Sequence, residues 1–150
     1  MELKLPPAFV FLLFGLAMYL VAKFLPFGFF DFFGRVWLFM GLAVVGIFTS
    51  IISLVQFYRA KTTVDPSKPN KASHLVVGGV YKFSRNPMYL SLLLLLLALG
   101  VALGNAFNVL VAAGFVAYMN HFQIVPEEKV LLEKFGREYK DYCILTRRWF

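Results

Sequence analysis

The sequence predicts an all-α integral membrane protein with about four transmembrane helices, a C-terminal amphipathic cytosolic helix and no Rossmann domain. Apolar residues make up 60% of the 150 residues and charged residues only 15%, a composition outside the usual range of soluble domains. The mean hydropathy is +0.73. The apolar residues also form long runs, and they do not follow the spacing of a soluble amphipathic helix. The chain therefore needs lipid around much of its surface.

Four apolar runs are predicted to cross the membrane, at residues 7–24, 36–58, 88–103 and 107–125. A bilayer core of about 30 Å requires roughly 20 helical residues, and the third run is shorter than that. Gly104 and Asn105 separate the third run from the fourth, which predicts a tight helical hairpin. The centre of each run lacks charged residues, as the cost of a charge in hydrocarbon leads us to expect.

The basic residues orient the predicted helices. Of the fifteen lysines and arginines, six lie between the second and third runs and six follow the fourth run. Only Lys23 and Arg35 lie between the first and second runs. The positive-inside rule therefore predicts a multi-pass protein of the inner, plasma or endomembrane with both termini in the cytosol. The net charge of +7 indicates anionic lipid and not nucleic acid as the partner, because no nucleic-acid motif accompanies it.

The sequence divides into two predicted regions. Residues 1–58 hold the first two helices, and residues 59–150 hold a cytosolic loop, the helical hairpin and a C-terminal tail. The connector at residues 59–84 is long for a compact protein, and such loops are often functional, although a flexible linker is the alternative. The one cysteine, Cys143, excludes an internal disulfide framework, and no His/Cys cluster predicts a metal site.

Two helix starts are predicted on the cytosolic side. Asn86 is a strong N-cap residue and Pro87 suits the first helical position of the third span. After the fourth span, Pro126 is predicted to open a separate amphipathic helix, which Gly136 is expected to interrupt or end. Four aromatic residues beyond that glycine are expected to lie at the lipid headgroup level, namely Tyr139, Tyr142, Trp149 and Phe150.

Two cytosolic segments carry a resemblance to a known family. They read LVVGGVYKFSRNPMYLS at residues 75–91 and PEEKVLLEKFGREYKDY at residues 126–142. Together they resemble the isoprenylcysteine carboxyl methyltransferase and phospholipid methyltransferase superfamily, whose pattern is Arg-His/Asn-Pro-x-Tyr followed by Glu-Glu-x-x-Leu and Phe-Gly-x-x-Tyr. The resemblance covers roughly residues 74–149. It is specific because two separated motifs occur in the right order with a helical hairpin between them.

The resemblance implies methyl transfer from S-adenosylmethionine to a lipid-borne or hydrophobic acceptor, either an isoprenylcysteine-type carboxylate, a thiol or a phospholipid amine. It places the cofactor pocket at the ends of the C-terminal helices and in the tail. Arg85 and Glu128 are the candidates for a catalytic role. The candidate cofactor-binding residues are His74, Gly78, Gly79, Tyr81, Arg85, Asn86, Pro87, Tyr89, Glu127 and Glu128.

The residue types suit such a cofactor. Glu127 or Glu128 would bind the methionyl ammonium or the ribose; adjacent residues cannot share a helix face, so the other glutamate is expected to pair with Arg85 or a tail arginine. The Arg85 guanidinium suits a carboxylate or phosphate, with a snorkelling anchor as the alternative. Gly78 and Gly79 would let the backbone approach the cofactor. His74 would contact the adenine or act as a base, with a plain exposed loop histidine as the alternative.

Other interpretations of the sequence remain open. A carboxylate or thiolate acceptor is weakly favoured, because the only bases near the motifs are His74 and the two glutamates. Membrane steroid-type reductases have a related helical half and bind NADPH, but Asn86 and the paired glutamates favour the methyl donor. A third alternative is a non-enzymatic membrane protein whose basic segments bind anionic lipid.

Overall fold

The structure is a computed structural model that describes residues 5–59 and 74–150. Its described part consists of helices, with one isolated β-bridge between Phe29 and Asn105. The all-α fold class is therefore confirmed. The predicted loop at residues 59–84 falls largely on residues 60–73, which lie outside the described residues. The helices are α1 (Pro7–Phe24), α2 (Arg35–Arg59), α3 (Pro87–Leu103), α4 (Asn108–Met119) and α5 (Val125–Leu145), with short 3-10 turns at Pro26–Gly28 and Gly79–Lys82.

The helices have the length and composition of membrane spans. Three of them are long and apolar enough to cross a membrane, namely α1, α2 and the continuous helix that runs from α4 into α5. The third predicted span, α3, is apolar but has only 17 residues, or roughly 26 Å at 1.5 Å per residue. The expected shortness of this span is confirmed. The chain is an integral membrane protein with four apolar helices.

The predicted break before Pro126 is wrong. A π-helical turn at Asn120–Ile124 joins α4 to α5, so the helix runs on through the proline. Pro126 lacks an N–H group and cannot bond to the carbonyl four residues back, and a wider turn before it accommodates that loss. The apolar, membrane-crossing part of this helix ends at Val125, and charged residues begin at Glu127.

Gly136 interrupts α5, as predicted. Its backbone angles are φ 51° and ψ −115°, which lie outside the helical region and suit glycine because it carries no Cβ. The helix is thereby divided into residues 125–135 and residues 137–145. Both halves contribute residues to the wall of the candidate site.

The helix ends gather at two opposite sides of the bundle. On one side, Gln123 Nε2 donates to the carbonyl of Leu5, 2.7 Å away, so the start of α1 lies beside the junction of α4 and α5. On the other side, Phe30 N–H donates to Gly104 C=O at 2.8 Å, which joins the first connection to the hairpin turn. The described chain therefore begins and ends on the same side.

The core lies between α1, α3 and α4. Met18, Leu96 and Phe115 are fully buried there, while the outward faces of α1 and α2 expose large apolar side chains, as lipid contact requires. The second helix packs along α3 at Gly46, where an added Cβ would lie 3.1 Å from Leu95. This close approach brings the end of α2 next to the start of α3.

Candidate functional site

Gly79 allows the turn before α3 to pack closely against α2. Gly79 has φ +58°, and a Cβ at this position would overlap the amide of Gln56. The same amide accepts a hydrogen bond from Val80 N–H at 3.3 Å. Gly79, a candidate for contact with a cofactor, is therefore placed against α2. Its neighbour Gly78 is exposed and has open space around it.

The start of α3 is held by the C-terminal tail. Pro87 is the first helical residue and is buried, as predicted. Asn86 occupies the N-cap position, but the prediction that its side chain caps the helix is wrong. Its amide nitrogen instead donates to the carbonyl of Arg148 at 3.0 Å, while its backbone N–H donates to Ser84 Oγ at 3.1 Å. The asparagine thus joins the helix start to the tail.

Arg85 makes the largest number of tail contacts. Its Nη1 donates to the carbonyls of Cys143 and Thr146, both at 3.2 Å, and its backbone N–H donates to Arg147 C=O at 2.9 Å. Its Nη2 lies 2.8 Å from Glu128 Oε1 in an ion pair that leaves the arginine side chain 13% exposed. The remaining Nε–H is buried and has no partner among the described residues. One donor is therefore left for a further acceptor.

Glu128 lies between two guanidinium groups. Besides Arg85, it contacts Arg148, whose Nη2 lies 2.6 Å from Oε2 and whose Nε lies 3.0 Å from Oε1. The expected pairing of one glutamate with Arg85 or a tail arginine is confirmed, and both arginines take part. The hydrogen bonds that Arg148 donates to Glu128 raise the pKa of Arg148. Two positive charges and one negative charge leave this cluster with a surplus of one positive charge.

Glu127 has a different environment from its neighbour. Tyr89 Oη donates to its Oε1 at 2.6 Å, and no arginine contact to it appears among the described residues. Burial raises the pKa of Glu127 to about 8, an effect that the Tyr89 hydrogen bond opposes and the Glu128 charge reinforces. A carboxyl with such a pKa is mainly protonated at neutral pH, so it must release its proton before it can pair with a cation.

These groups surround a pocket at the end of the bundle where the chain begins and ends. Counted out to its open mouth, and with the open solvent there included, the empty space is about 480 Å³. Six candidate residues line it, while Tyr89 reaches it through Glu127, and Gly78, Gly79 and Pro87 are not in its wall. The lining residues are Phe57, His74, Leu75, Val76, Tyr81, Arg85, Asn86, Glu127, Glu128, Leu131, Tyr139 and Tyr142.

Some of these lining residues were missed from the sequence. Tyr139 and Tyr142 were expected at the headgroup level, but they are buried and form a wall of the pocket. Tyr142 Oη donates to the Tyr81 carbonyl at 2.6 Å. Their spacing of three residues places them on one helix face, which was the available signal. The change of helix direction at Gly136 that turns this face toward Glu128 is not evident from that spacing.

The pocket combines charged and apolar surfaces. Apolar side chains such as Phe57 and Leu131 lie beside the acid Glu127 and beside the Arg85–Glu128–Arg148 cluster with its surplus positive charge. Within that cluster, the Nε–H of Arg85 has no acceptor among the described residues. This set fits a ligand that has an ammonium, a carboxylate and an aromatic part. Within residues 5–59 and 74–150, no group of three metal-binding side chains is present.

Comparisons with known proteins point to methyl transfer. The family model described as "Phospholipid methyltransferase" matches residues 34–138. A 62-residue stretch, 41% of the chain, is 50% identical to an "Uncharacterized protein" of Haemophilus influenzae and covers 98% of it. Over 103 residues, 69% of the chain, it is 27% identical to the "Protein-S-isoprenylcysteine O-methyltransferase" of Schizosaccharomyces pombe and spans 44% of that protein's length. No solved structure matches the chain significantly.

Proposed function

This chain belongs to the phospholipid methyltransferase family, and we propose that it transfers a methyl group from S-adenosylmethionine to a hydrophobic acceptor at the cytosolic membrane surface. The observation that carries the proposal is the pocket between α3 and α5, where the acid Glu127 lies beside the positively charged Arg85 cluster. The pocket adjoins the membrane-crossing part of the bundle, so a soluble cofactor and a lipid-borne acceptor could meet there.

The charges of the pocket support a zwitterionic cofactor. We assign the methionyl ammonium to Glu127, whose carboxylate has a hydroxyl and no guanidinium as its partner among the described residues. The methionyl carboxylate is assigned to Arg85, whose buried Nε–H lacks an acceptor within the described part of the chain. Apolar and aromatic walls, with His74 at the mouth, remain for the adenine. Glu128 then acts by holding Arg85 in place.

Methyl transfer by displacement depends mainly on alignment and exclusion of water. The cofactor would supply an electrophilic methyl group on its sulfonium, and the residues of the pocket would hold it toward the membrane. A carboxylate or thiolate acceptor needs no base, whereas an amine acceptor must first lose a proton. In the assignment above, Glu127 pairs with the methionyl ammonium and cannot also take that proton. The weak preference for a carboxylate or thiolate acceptor therefore stays a prediction.

The proposed topology has both termini in the cytosol. Two observations support it: twelve of the fifteen basic residues fall in the sequence segments 59–85 and 129–148, whose described parts include residues that line the pocket, and Gln123 joins the pocket side to the start of α1. Protease digestion of tags fused to each terminus, in sealed vesicles of known orientation, tests the proposal. Cleavage of the two tags from opposite faces would contradict it.

Binding and product analysis test the proposed activity. Calorimetry on the purified protein should detect S-adenosylmethionine and not NADPH. Incubation with radiolabelled S-adenosylmethionine, total membrane lipid and prenylated thiol compounds should then yield a labelled product, which identifies the acceptor. Binding of NADPH alone would favour a reductase. Binding of neither compound would refute both enzymatic functions and favour a lipid-binding protein.

A further inference from the structure

Both halves of α5 contribute side chains to the wall of the pocket. Glu127, Glu128 and Leu131 come from the half before Gly136, and Tyr139 and Tyr142 come from the half after it. A ligand in the pocket would therefore contact two parts of one interrupted helix. Movement of either half relative to the other would open or close the site.

Gly136 has the properties of a hinge. Its φ of 51° and ψ of −115° break the helix. Apart from the adjacent backbone, no atom lies within 4 Å of the position that a Cβ would occupy, so no side chain of the described residues packs against this side of the glycine. The segment beyond it, residues 137–150, carries the two buried tyrosines and the tail, and we call this segment the lid.

The lid is fastened to the rest of the site by polar contacts. Arg148 makes two contacts to Glu128, at 2.6 and 3.0 Å, and its side chain is 37% exposed. Trp149 Nε1 donates to Asn120 Oδ1 at 3.0 Å. Most other fastening bonds end on backbone carbonyls of the lid, for example the bond from Asn86 to Arg148 C=O. Arg148 therefore forms the lid's charged side-chain contact with an acid of the pocket wall.

We propose that residues 137–150 close over bound S-adenosylmethionine by turning about Gly136, and that Arg148 is the latch that holds them closed through Glu128. The naming of the ligand rests on the proposed function, whereas the lid and latch rest on the contacts above. A two-point guanidinium–carboxylate contact fixes the orientation of the two groups. Because the Arg148 side chain is partly exposed, water competes for this contact, and it can open. Arg148 is thus a positioning residue that acts through Glu128, and closure would exclude water from the reacting groups.

The first test measures lid opening without any ligand. Cys143 is the one cysteine of the chain, lies in the lid and is half-buried, so its rate of reaction with a maleimide reports opening. Arg148→Ala should raise this rate about 10-fold, the loss expected for a charged, partly exposed hydrogen-bonded pair. The matched control is Arg147→Ala, because Arg147 is exposed and its described contact is made by its backbone carbonyl. Equal rates in the two variants would overturn the latch.

The second test measures release of the methyl donor. Arg148→Ala should release radiolabelled S-adenosylmethionine about 10-fold faster than wild type and raise KM more than it lowers kcat, and Arg148→Lys should be intermediate because one contact is lost. If Arg148→Ala does not fold, Arg148→Lys alone must still show faster labelling of Cys143 and faster release of S-adenosylmethionine than the wild type. If the wild type binds no S-adenosylmethionine but Arg148→Ala is still labelled faster than the wild type, the proposed function is refuted and the lid is retained. Normal binding with unchanged labelling and release in every variant would refute the lid and retain the function.

Discussion

Glu127 should make binding of S-adenosylmethionine depend on pH. The ligand's ammonium needs an ionised carboxylate as its partner, but burial raises the pKa of Glu127 to about 8, so the unliganded protein holds this carboxyl mainly protonated at pH 7. Binding must therefore release a proton from Glu127. The affinity should rise as the pH rises toward 8, and Glu127→Gln should remove that dependence.

The size of the effect follows from the ionised fraction. With a pKa of about 8, the fraction of Glu127 that is ionised is about 1% at pH 6 and about 10% at pH 7. The affinity of wild type should therefore increase about 10-fold across this interval, which corresponds to about 1.4 kcal/mol. The interval ends at pH 7 because an α-amino group has a pKa of about 7.7–8.0 and the ligand itself begins to lose its proton above it.

Calorimetric titrations at pH 6.0, 6.5 and 7.0, in two buffers with different heats of ionisation, measure both the affinity and the released proton. Glu133→Gln is the matched control, since Glu133 is exposed on the same helix and should keep the wild-type pH dependence. Glu127→Gln should bind more weakly at pH 7 and show no change with pH. A wild-type affinity that is constant from pH 6 to 7, or a slope that survives in Glu127→Gln, would refute the assignment.

Three further predictions concern binding and stability. Arg85→Ala should weaken S-adenosylmethionine binding at least about 10-fold, because a half-buried ion pair and the anchor of the tail are lost together. Lys82→Ala, at an exposed position, should leave the affinity unchanged. Calorimetry measures both affinities, and equal values would contradict the role of Arg85. Gly79→Ala should lower the unfolding free energy by about 1–3 kcal/mol, because of its positive φ and the overlap with Gln56, while Gly78→Ala should change it by less than about 0.5 kcal/mol; thermal unfolding in detergent distinguishes them. The unliganded wild type should also lose stability as the pH rises, because the folded-state pKa of Glu127, about 8, exceeds the usual 4.5. The contribution of protonated Glu127 to the unfolding free energy is complete below pH 4.5 and is lost as the pH rises through 8. Thermal unfolding of Glu127→Gln should lack that part of the decline, and an identical decline in both proteins would argue against a buried carboxyl.

The sequence predicted the helices well because their determinants are local. Long apolar runs specify spans through the cost of unpaired backbone groups in lipid, and the structure has α1 and α3 within one residue of the predicted bounds. Pro126 was misread because a proline at the end of an apolar helical run has two outcomes, a new helix or a wider turn within the same helix. The packing around the turn decides between these two outcomes, and that packing cannot be deduced from a single sequence. The division into residues 1–58 and 59–150 stays a prediction.

The residue types of the site were predictable, but their partners were only partly so. Charge complementarity implied a pair for one glutamate, and Glu128 has it. Nothing local specified that the Asn86 side chain would bind the backbone of Arg148 in place of capping its own helix. A side chain at an N-cap position chooses between the N–H groups of its helix and any carbonyl that the fold brings near. Here the tail, 62 residues away in sequence, supplied that carbonyl.

The Ser84-Arg85-Asn86 segment therefore has a structural task besides the proposed contact with a ligand. Its three side chains donate to backbone carbonyls of the tail, and Tyr139 and Tyr142 before the tail line the pocket together with the glutamates. A substitution at Arg85 would disturb the cofactor site and the lid together, so activity alone cannot separate the two tasks. Maleimide labelling of Cys143 in Arg148→Ala separates them, because it is measured without ligand and the Arg148 side chain contacts Glu128 and is not in the wall of the pocket. If labelling responds to Arg148 while the pH dependence set by Glu127 stays unchanged, closure and binding are distinct functions of the same short tail.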